Sequence, residues 1–235
     1  MTPIVLVPGM LCTPEIFASQ ITALWPYGPV TVASTLEGKT IAEMAAAILA
    51  AAPPRFALAG ISMGGYIARE IMRQAPERVL KLALLDTEAR PDTPAQTAQR
   101  RALLAQVDSS NFETLLALAV PAIVHPAHQD DPALRETNVR MGLAVGIERW
   151  ARQVEAVMAR IDYRPSLPAI SAPTLVLVGD SDTFTPPDRS KEMAAAIPGA
   201  RLVVVPECGH ASTIEQPDAV NRALVEWITA EWITH

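Results

Sequence analysis

The fold is decided by residues 56–74, which read FALAGISMGGYIAREIMRQ. Residues 56–61 form an uninterrupted apolar run, which is typical of a strand buried on both faces of a parallel sheet. Residues 63–74 continue as a helical pattern, and no loop separates the two. Ser62 stands at the junction, inside the Gly-x-Ser-x-Gly sequence of residues 60–64. The stretch predicts a sharp strand-to-helix corner that exposes the serine hydroxyl; the alternative is a glycine-rich turn with an idle serine.

Apolar runs recur along the rest of the chain, with helical patterns between them. Further strands are predicted at residues 4–7, 30–33, 79–85, 174–178 and 201–205. Further helices are predicted at residues 14–24, 40–51, 188–197 and 215–232. This alternation is typical of βαβ units, so the predicted fold class is α/β, a doubly wound and mostly parallel sheet of about six strands.

Residues 88–173 break this alternation, because they contain helical patterns and no good strand candidate. The patterns cover residues 95–107, 111–124, 132–145 and 147–161. A helical insertion after the fourth strand would cover the carboxyl edge of the sheet, where ligands of α/β proteins bind. We therefore predict a core of residues 1–87 and 174–235 and a helical cap of residues 88–173. The alternative is a set of further peripheral helices.

The composition excludes several classes of protein. Half of the 235 residues are hydrophobic and 19% are charged, which excludes a disordered chain. The net charge of −6 and the lack of a long basic cluster argue against a nucleic-acid partner. Cys12 and Cys208 are too few for a disulfide framework, so we expect two free thiols. Prolines interrupt the longest uncharged stretch and the first residues lack the basic region of a signal peptide, so we expect no membrane span and a cytoplasmic monomer or homodimer.

A nucleophilic serine needs a base, and the chain has four histidines. His210 follows the last predicted strand, so we expect it at the same edge of the sheet as Ser62 and take it as the candidate base. His125 and His128 lie in the predicted cap. Their spacing could suit a metal, but no matching Cys or carboxylate cluster accompanies them, and a solvated or packing role is favoured. His235, the last residue, is expected to be frayed, and no metal or cofactor is predicted.

The group that orients the histidine has three candidates at that edge. Asp180 and Asp182 follow the fifth predicted strand, and Asp86 follows the fourth. Acyl transfer also needs N–H donors for the developing oxyanion. The N–H of Met63 directly follows the serine at a helix N-terminus, and the N–H of Met10 lies in a Pro-Gly loop after the first strand. The alternative for that loop is a turn without a catalytic role.

Together these motifs resemble the α/β-hydrolase superfamily, in particular its small carboxylesterase-like members, typified by pimeloyl-acyl-carrier methyl ester esterase. The resemblance covers essentially the whole chain. Residues 179–186, GDSDTFTP, match the family's acid loop, which implies Asp182 as the orienting acid, and His210 with its preceding glycine matches the histidine loop. The resemblance also implies Met10 as the second oxyanion donor, although residues 8–9 are Pro-Gly where the family commonly has His-Gly. The sheet would lack the family's first two strands, usually an antiparallel start.

The resulting prediction is a serine hydrolase that cleaves a carboxylic ester through an acyl-enzyme. Apolar helix faces in the cap favour a small to medium hydrophobic substrate. The residues of these faces are Leu115, Leu118, Val120, Ile123, Met141, Leu143 and Trp150. A thioesterase, perhydrolase, carbon–carbon bond hydrolase or lyase could use the same groups, and the scaffold could instead be a ligand-binding receptor. Nine arginines and ten acids lie in residues 88–165, which leaves a dedicated anion site open.

Overall fold

The computed structural model describes residues 1–231, and a single sheet forms its centre. The strands are β1 (Ile4–Val7), β2 (Val30–Val32), β3 (Phe56–Ile61), β4 (Val79–Leu85), β5 (Thr174–Gly179) and β6 (Arg201–Val205). All six pair in parallel, in the order β2-β1-β3-β4-β5-β6. The predicted α/β class with a doubly wound parallel sheet is confirmed, and no strand bound differs from its prediction by more than one residue.

The strand order reverses direction between β1 and β3. The chain leaves β1 toward β2 at one edge and then returns, so that β3 and all later strands lie on the other side of β1. In open α/β sheets, a crevice forms at such a switch point, outside the carboxyl ends of the strands. The loops that follow β1 and β3 meet there, and a Cβ atom added to Gly9 would lie 3.3 Å from the Cβ atom of Ser62. The topology therefore places the Pro-Gly loop against the serine.

Helices connect the strands and cover both faces of the sheet. They are α1 (Ala18–Leu24), α2 (Ile41–Ala51), α3 (Met63–Gln74), α4 (Pro94–Gln106), α5 (Phe112–Ile123), α6 (Pro132–Val145), α7 (Ile147–Met158), α8 (Pro187–Ala196), α9 (Ser212–Glu215) and α10 (Pro217–Thr229). The prediction of one helix over residues 215–232 is wrong at its start. Gln216 has φ −129° and ψ 56°, because the residue before a proline is kept out of the helical region, and a new helix begins at Pro217. Trp232 and His235, named in the sequence predictions, lie outside the described residues.

Alternate residues of the strands pack into two hydrophobic clusters, one on each face of the sheet. Val5, Leu58 and Leu84 belong to the cluster that includes side chains of α2, α3 and α8. Leu6 and Leu177 belong to the cluster that includes side chains of α1 and α10. Because β1, β3, β4 and β5 each contribute to both clusters, the continuous apolar runs of these strands are explained by burial on two faces.

Helices α4 to α7 lie between β4 and β5 in the chain, within residues 88–173, which we call the cap segment. Four buried side chains form a small hydrophobic cluster of its own: Phe112, Leu116, Trp150 and Val154. Met10 and Leu11 of the loop after β1 pack against this cluster. That the cap segment forms a unit separate from the core stays a prediction. Among residues 1–231, no helix has the length and apolarity needed to cross a bilayer.

Candidate active site

Ser62 occupies the corner between β3 and α3. Its φ of 54° and ψ of −118° lie outside the regions that non-glycine residues ordinarily adopt, which costs of the order of 1–3 kcal/mol. The neighbouring glycines make the corner possible. A Cβ atom at Gly60 would lie 2.2 Å from the carbonyl oxygen of Gly64, and one at Gly64 would lie 2.0 Å from that of Val7. The Gly-x-Ser-x-Gly spacing therefore follows from close packing of backbone around the serine.

His210 is hydrogen-bonded to Ser62 and to Asp182. Its Nε2 atom lies 2.8 Å from the Oγ atom of Ser62, and its Nδ1 atom lies 2.7 Å from the Oδ2 atom of Asp182. If Nδ1 carries the proton, it donates to the carboxylate, and Nε2 is left to accept the proton of the serine hydroxyl. The backbone N–H of His210 donates to the carbonyl oxygen of Ile123, which lies 2.6 Å away at the end of α5. The arrangement can activate the serine as a nucleophile.

The carboxylate of Asp182 is buried and fully hydrogen-bonded. Its Oδ1 atom accepts the N–H groups of Phe184 and Thr185, and its Oδ2 atom accepts the Thr185 hydroxyl. Burial opposes ionisation of Asp182, but the imidazole of His210 and these hydrogen bonds outweigh it, so the carboxyl pKa lies below its ordinary value. For His210, burial alone would lower the pKa. The carboxylate of Asp182 outweighs burial, and the pKa of the imidazole lies above its ordinary value.

The other two candidate acids are hydrogen-bonded to backbone N–H groups and serine hydroxyls and not to His210. Asp180 accepts the N–H groups of Glu207 and Cys208 and so fixes the loop that leads to His210. Asp86 accepts the Gly179 N–H at 3.1 Å and the hydroxyl of the serine at position 212 at 2.5 Å. Burial, and next the charge of Asp182, raise the pKa of Asp86. Asp182 is therefore the acid that contacts the imidazole.

The two predicted oxyanion donors line the same cavity: Met63 directly follows Ser62, and Met10 follows Gly9, which packs against Ser62. Met63 is the first residue of α3, so its N–H has no acceptor within the helix. The loop that carries Met10 is held by an unpredicted contact: Leu11, at φ 60°, donates its N–H to Oε1 of Gln153 in α7 at 3.1 Å. Gln153 is buried and 142 positions away in the chain, so no local pattern could have identified it.

Glu215 is a second residue that the sequence analysis missed. Its side chain is fully buried and accepts the N–H groups of Gly209 and His125, each at 2.6 Å. It also lies 2.8 Å from the Nδ1 atom of His128. One carboxylate therefore joins the histidine loop to the end of α5. Within residues 1–231 no group of three His, Cys, Asp or Glu side chains is placed to hold a metal ion, and the partner of His128 is the Glu215 carboxylate.

A cavity of about 470 Å³ lies between the sheet edge and the cap segment, with Ser62 and His210 in its wall. Of the apolar cap residues predicted to face the substrate, four line this cavity: Leu115, Leu118, Ile123 and Trp150. The prediction is wrong for the other three. Val120 and Met141 are buried in helix packing, and Leu143 is 45% exposed and does not line the cavity. The sequence did not separate these residues from the lining ones, because a helix face that packs on a neighbour has the same apolar pattern as one that faces a cavity. Besides Ser62, Thr185 and His210, polar lining comes from Tyr66, Glu88, Gln96, Arg100 and Asn138.

The two cysteines are free thiols, as expected. Cys12 lies in the cavity wall, and its Sγ atom donates to the carbonyl oxygen of Met10 at 3.3 Å. Burial raises the pKa of Cys12 to about 12, so the thiolate that would be needed for nucleophilic attack is not formed near neutral pH. Ser62 is therefore the nucleophile candidate in this wall.

The chain is similar to known proteins in both sequence and structure. A family model described as alpha/beta hydrolase fold matches residues 33–217. A putative non-heme bromoperoxidase of Mycobacterium tuberculosis is 30% identical over 208 residues, covering 81% of this chain and 74% of that protein. The pimeloyl-[acyl-carrier protein] methyl ester esterase of Nitrosomonas europaea is 28% identical over 178 residues, covering 71% of this chain and 68% of that protein. The solved structure of a thermophilic esterase from Thermogutta terrifontis, with malate bound, has a TM-score of 0.86 and 29% identity and covers 97% of this chain and 89% of that one.

Proposed function

Because the chain belongs to the alpha/beta hydrolase family, we propose that it is a serine hydrolase that cleaves a carboxylic ester. The observation that carries this proposal is the hydrogen-bonded series Ser62–His210–Asp182 at the wall of an apolar cavity. Acyl transfer requires a serine whose hydroxyl is hydrogen-bonded to a histidine, and an acid that fixes the tautomer of that histidine. The esterases among the similar proteins support the choice of an ester.

In the first half of the reaction, His210 Nε2 takes the proton of Ser62 as Oγ attacks the ester carbonyl carbon. The electron pair of the carbonyl bond moves to its oxygen, which accepts hydrogen bonds from the N–H groups of Met10 and Met63. Each such donor contributes of the order of 10²–10³ in rate. The tetrahedral intermediate then collapses, the alcohol leaves with the proton from His210, and an acyl-serine remains. Asp182 holds the imidazole in place and stabilises its protonated form.

In the second half, a water molecule repeats the sequence on the acyl-serine. His210 accepts a proton from the water, the resulting oxyanion uses the same two N–H groups, and Ser62 leaves with the proton. The product acid is released. No metal or cofactor is needed for either half in this proposal.

The substrate is proposed to carry an apolar chain next to the scissile bond, since leucine, isoleucine and tryptophan side chains make up most of the wall near the cap segment. Cleavage of a thioester or of a carbon–carbon bond, or formation of a peracid, would use the same three residues. The fold therefore does not determine which bond is cleaved, and an experiment must. A ligand receptor on this scaffold would not need the serine to be activated.

The test is labelling with a fluorophosphonate probe, which reacts with activated serines. We expect labelling of the wild type and none of Ser62→Ala, while Ser109→Ala, at an exposed serine of the cap segment, is labelled like the wild type. An unlabelled wild type would favour the receptor. A labelled protein that hydrolyses no member of a series of 4-nitrophenyl esters of increasing chain length would contradict the ester assignment and favour the carbon–carbon hydrolase or lyase.

A further inference from the structure

The cavity has a polar wall formed by Tyr66, Gln96 and Arg100. Tyr66 lies in the first turn of α3, four residues after Ser62, which places its backbone about 6 Å further along the helix axis than the serine. Gln96 and Arg100 are four residues apart in α4, so their side chains share a face of that helix. Two helices, one from the core and one from the cap segment, therefore present polar groups to the same space beside the serine.

All three side chains have hydrogen-bond donors without a partner among residues 1–231. Arg100 uses its Nε atom for Asp92 Oδ2, 2.8 Å away, and its two terminal nitrogens make no hydrogen bond. Gln96 accepts the N–H of Thr93 with its Oε1 atom, so its amide nitrogen is the remaining polar atom. Tyr66 is 5% exposed, and its hydroxyl makes no hydrogen bond. These free donors belong to residues that line the cavity, so this wall is suited to a ligand that supplies acceptors.

The charges around the wall leave a positive excess. Asp92 is shared between Arg100 and Arg160, and Glu88 is shared between Arg160 and Arg189, which also contacts Asp188. Arg69 is buried and bonds to Thr87, to the Glu88 backbone and to Met193, none of which carries a negative charge there.

The guanidinium of Arg160 lies 4.4 Å from the centre of the Tyr66 ring, and that of Arg69 lies 5.4 Å from it. Although Glu88 also lines the cavity, both of its oxygens are occupied by guanidinium groups. An anion at the wall would meet positive charge, and a cation would be repelled.

We propose that Tyr66, Gln96 and Arg100 bind a carboxylate carried by the substrate itself, in addition to the ester that Ser62 attacks. The inference rests on the proposed ester hydrolysis and names its substrate class: monoesters of dicarboxylic acids, with an apolar chain between the two ends. A carboxylate has only acceptors when ionised, and the two terminal nitrogens of an arginine match its two oxygens. The Asp92 contact at Nε holds the guanidinium in orientation, so little side-chain entropy is lost on binding.

Kinetics with monomethyl adipate and dimethyl adipate test the carboxylate site, because the two esters differ in charge and little in size. The wild type should prefer the monoester in kcat/KM. Arg100→Leu should lower the ratio of monoester to diester about 10- to 100-fold, because a charge-assisted pair of hydrogen bonds is lost. Arg100→Lys, which keeps the charge and loses the fork, should fall between the two, and Tyr66→Phe should lower the ratio about threefold. Arg101→Leu is the matched control: its side chain is exposed on the same helix, and the ratio should equal that of the wild type.

Binding separates this inference from the proposed function. Calorimetry on Ser62→Ala should give a tighter Kd for monomethyl adipate than for dimethyl adipate, and Arg100→Leu in the same background should remove the difference. Equal affinities for the two esters in Ser62→Ala would overturn the carboxylate site whether or not the wild type is an esterase. Charge-dependent binding together with no turnover of either ester would overturn the ester hydrolysis and support the site.

Discussion

The core and the cap segment differ in how they are held together. Every residue of β3 and of β5 is buried, and the sheet lies between two extended hydrophobic clusters. In the cap segment, α4 has no buried residue, and the cluster that the segment forms by itself has four buried side chains.

Yet the loops that carry the proposed chemistry are hydrogen-bonded to the cap segment. Ala122, Ile123 and Gln153 supply acceptors to the acid loop, the histidine loop and the loop after β1. We call these contacts between the cap segment and the core loops the joint. The difference indicates that substitutions in the core remove the proposed reacting groups, whereas substitutions at the joint displace them. Substitutions on the surface of the cap segment should change only the shape of the cavity.

The largest effect is expected at Asp182 of the core. Asp182→Asn keeps the shape but cannot hold a protonated imidazole, so kcat should fall about 10³- to 10⁴-fold. Asp180→Asn is the comparison two positions away. Its amide nitrogen would face one of the two backbone N–H groups that the carboxylate accepts, but the contact of Asp182 with the imidazole stays in place, so kcat should fall no more than about tenfold. Steady-state kinetics with a 4-nitrophenyl ester would measure both. A larger loss in Asp180→Asn than in Asp182→Asn would reverse the assignment of the acid.

The pH dependence gives the next effect, about tenfold in rate for each pH unit below the pKa of the base. Only neutral His210 can accept the serine proton. Burial lowers its pKa, but Asp182 outweighs burial, with Asp86 and Glu88 adding to the rise. A raised pKa means that more of the imidazole is protonated at a given pH, so the acidic limb of kcat/KM should lie above the ordinary histidine value of about 6.5. A limb below that value, measured with an uncharged ester, would contradict the role of Asp182 as the dominant charge.

At the joint, Glu215→Gln should lower kcat about tenfold and the free energy of unfolding by about 2 kcal/mol. An amide has one acceptor oxygen, so its nitrogen would face the N–H of Gly209 or of His125. If the loss comes from a displaced histidine loop, KM should change little while kcat falls. Glu226→Gln, at an exposed ion pair in α10, is the control and should change neither quantity measurably. An unchanged kcat in Glu215→Gln would show that the histidine loop does not depend on this contact.

The same division explains how much of the molecule could be predicted from the sequence. The β3–Ser62–α3 corner was predicted to the residue because it depends on residues adjacent in the chain, and the strands were predicted because burial on two faces leaves continuous apolar runs. Sequence position alone did not separate Asp180 from Asp182, since both follow β5; the loop backbone decides which one reaches the imidazole. The contacts of the joint could not be predicted, because the contact of Glu215 with His125 spans 90 positions and no local sequence pattern records such a pair.

The smallest effect is expected on the surface of the cap segment, at Leu118. This side chain lines the cavity and is 75% exposed, so it lies at the rim where substrate enters. Leu118→Ser removes apolar area that only a long acyl or alcohol chain can reach. We therefore expect KM for a long-chain 4-nitrophenyl ester to rise about threefold, with KM for the acetate ester and the stability nearly unchanged, because one exposed leucine contributes only part of its transfer free energy. Leu143→Ser, at a residue 45% exposed that does not line the cavity, controls for loss of surface hydrophobicity. Equal changes in KM for the acetate and the long-chain ester would mean that Leu118 acts on the proposed catalytic residues. At this rim, the cap segment would then affect the chemistry and not only the shape of the cavity.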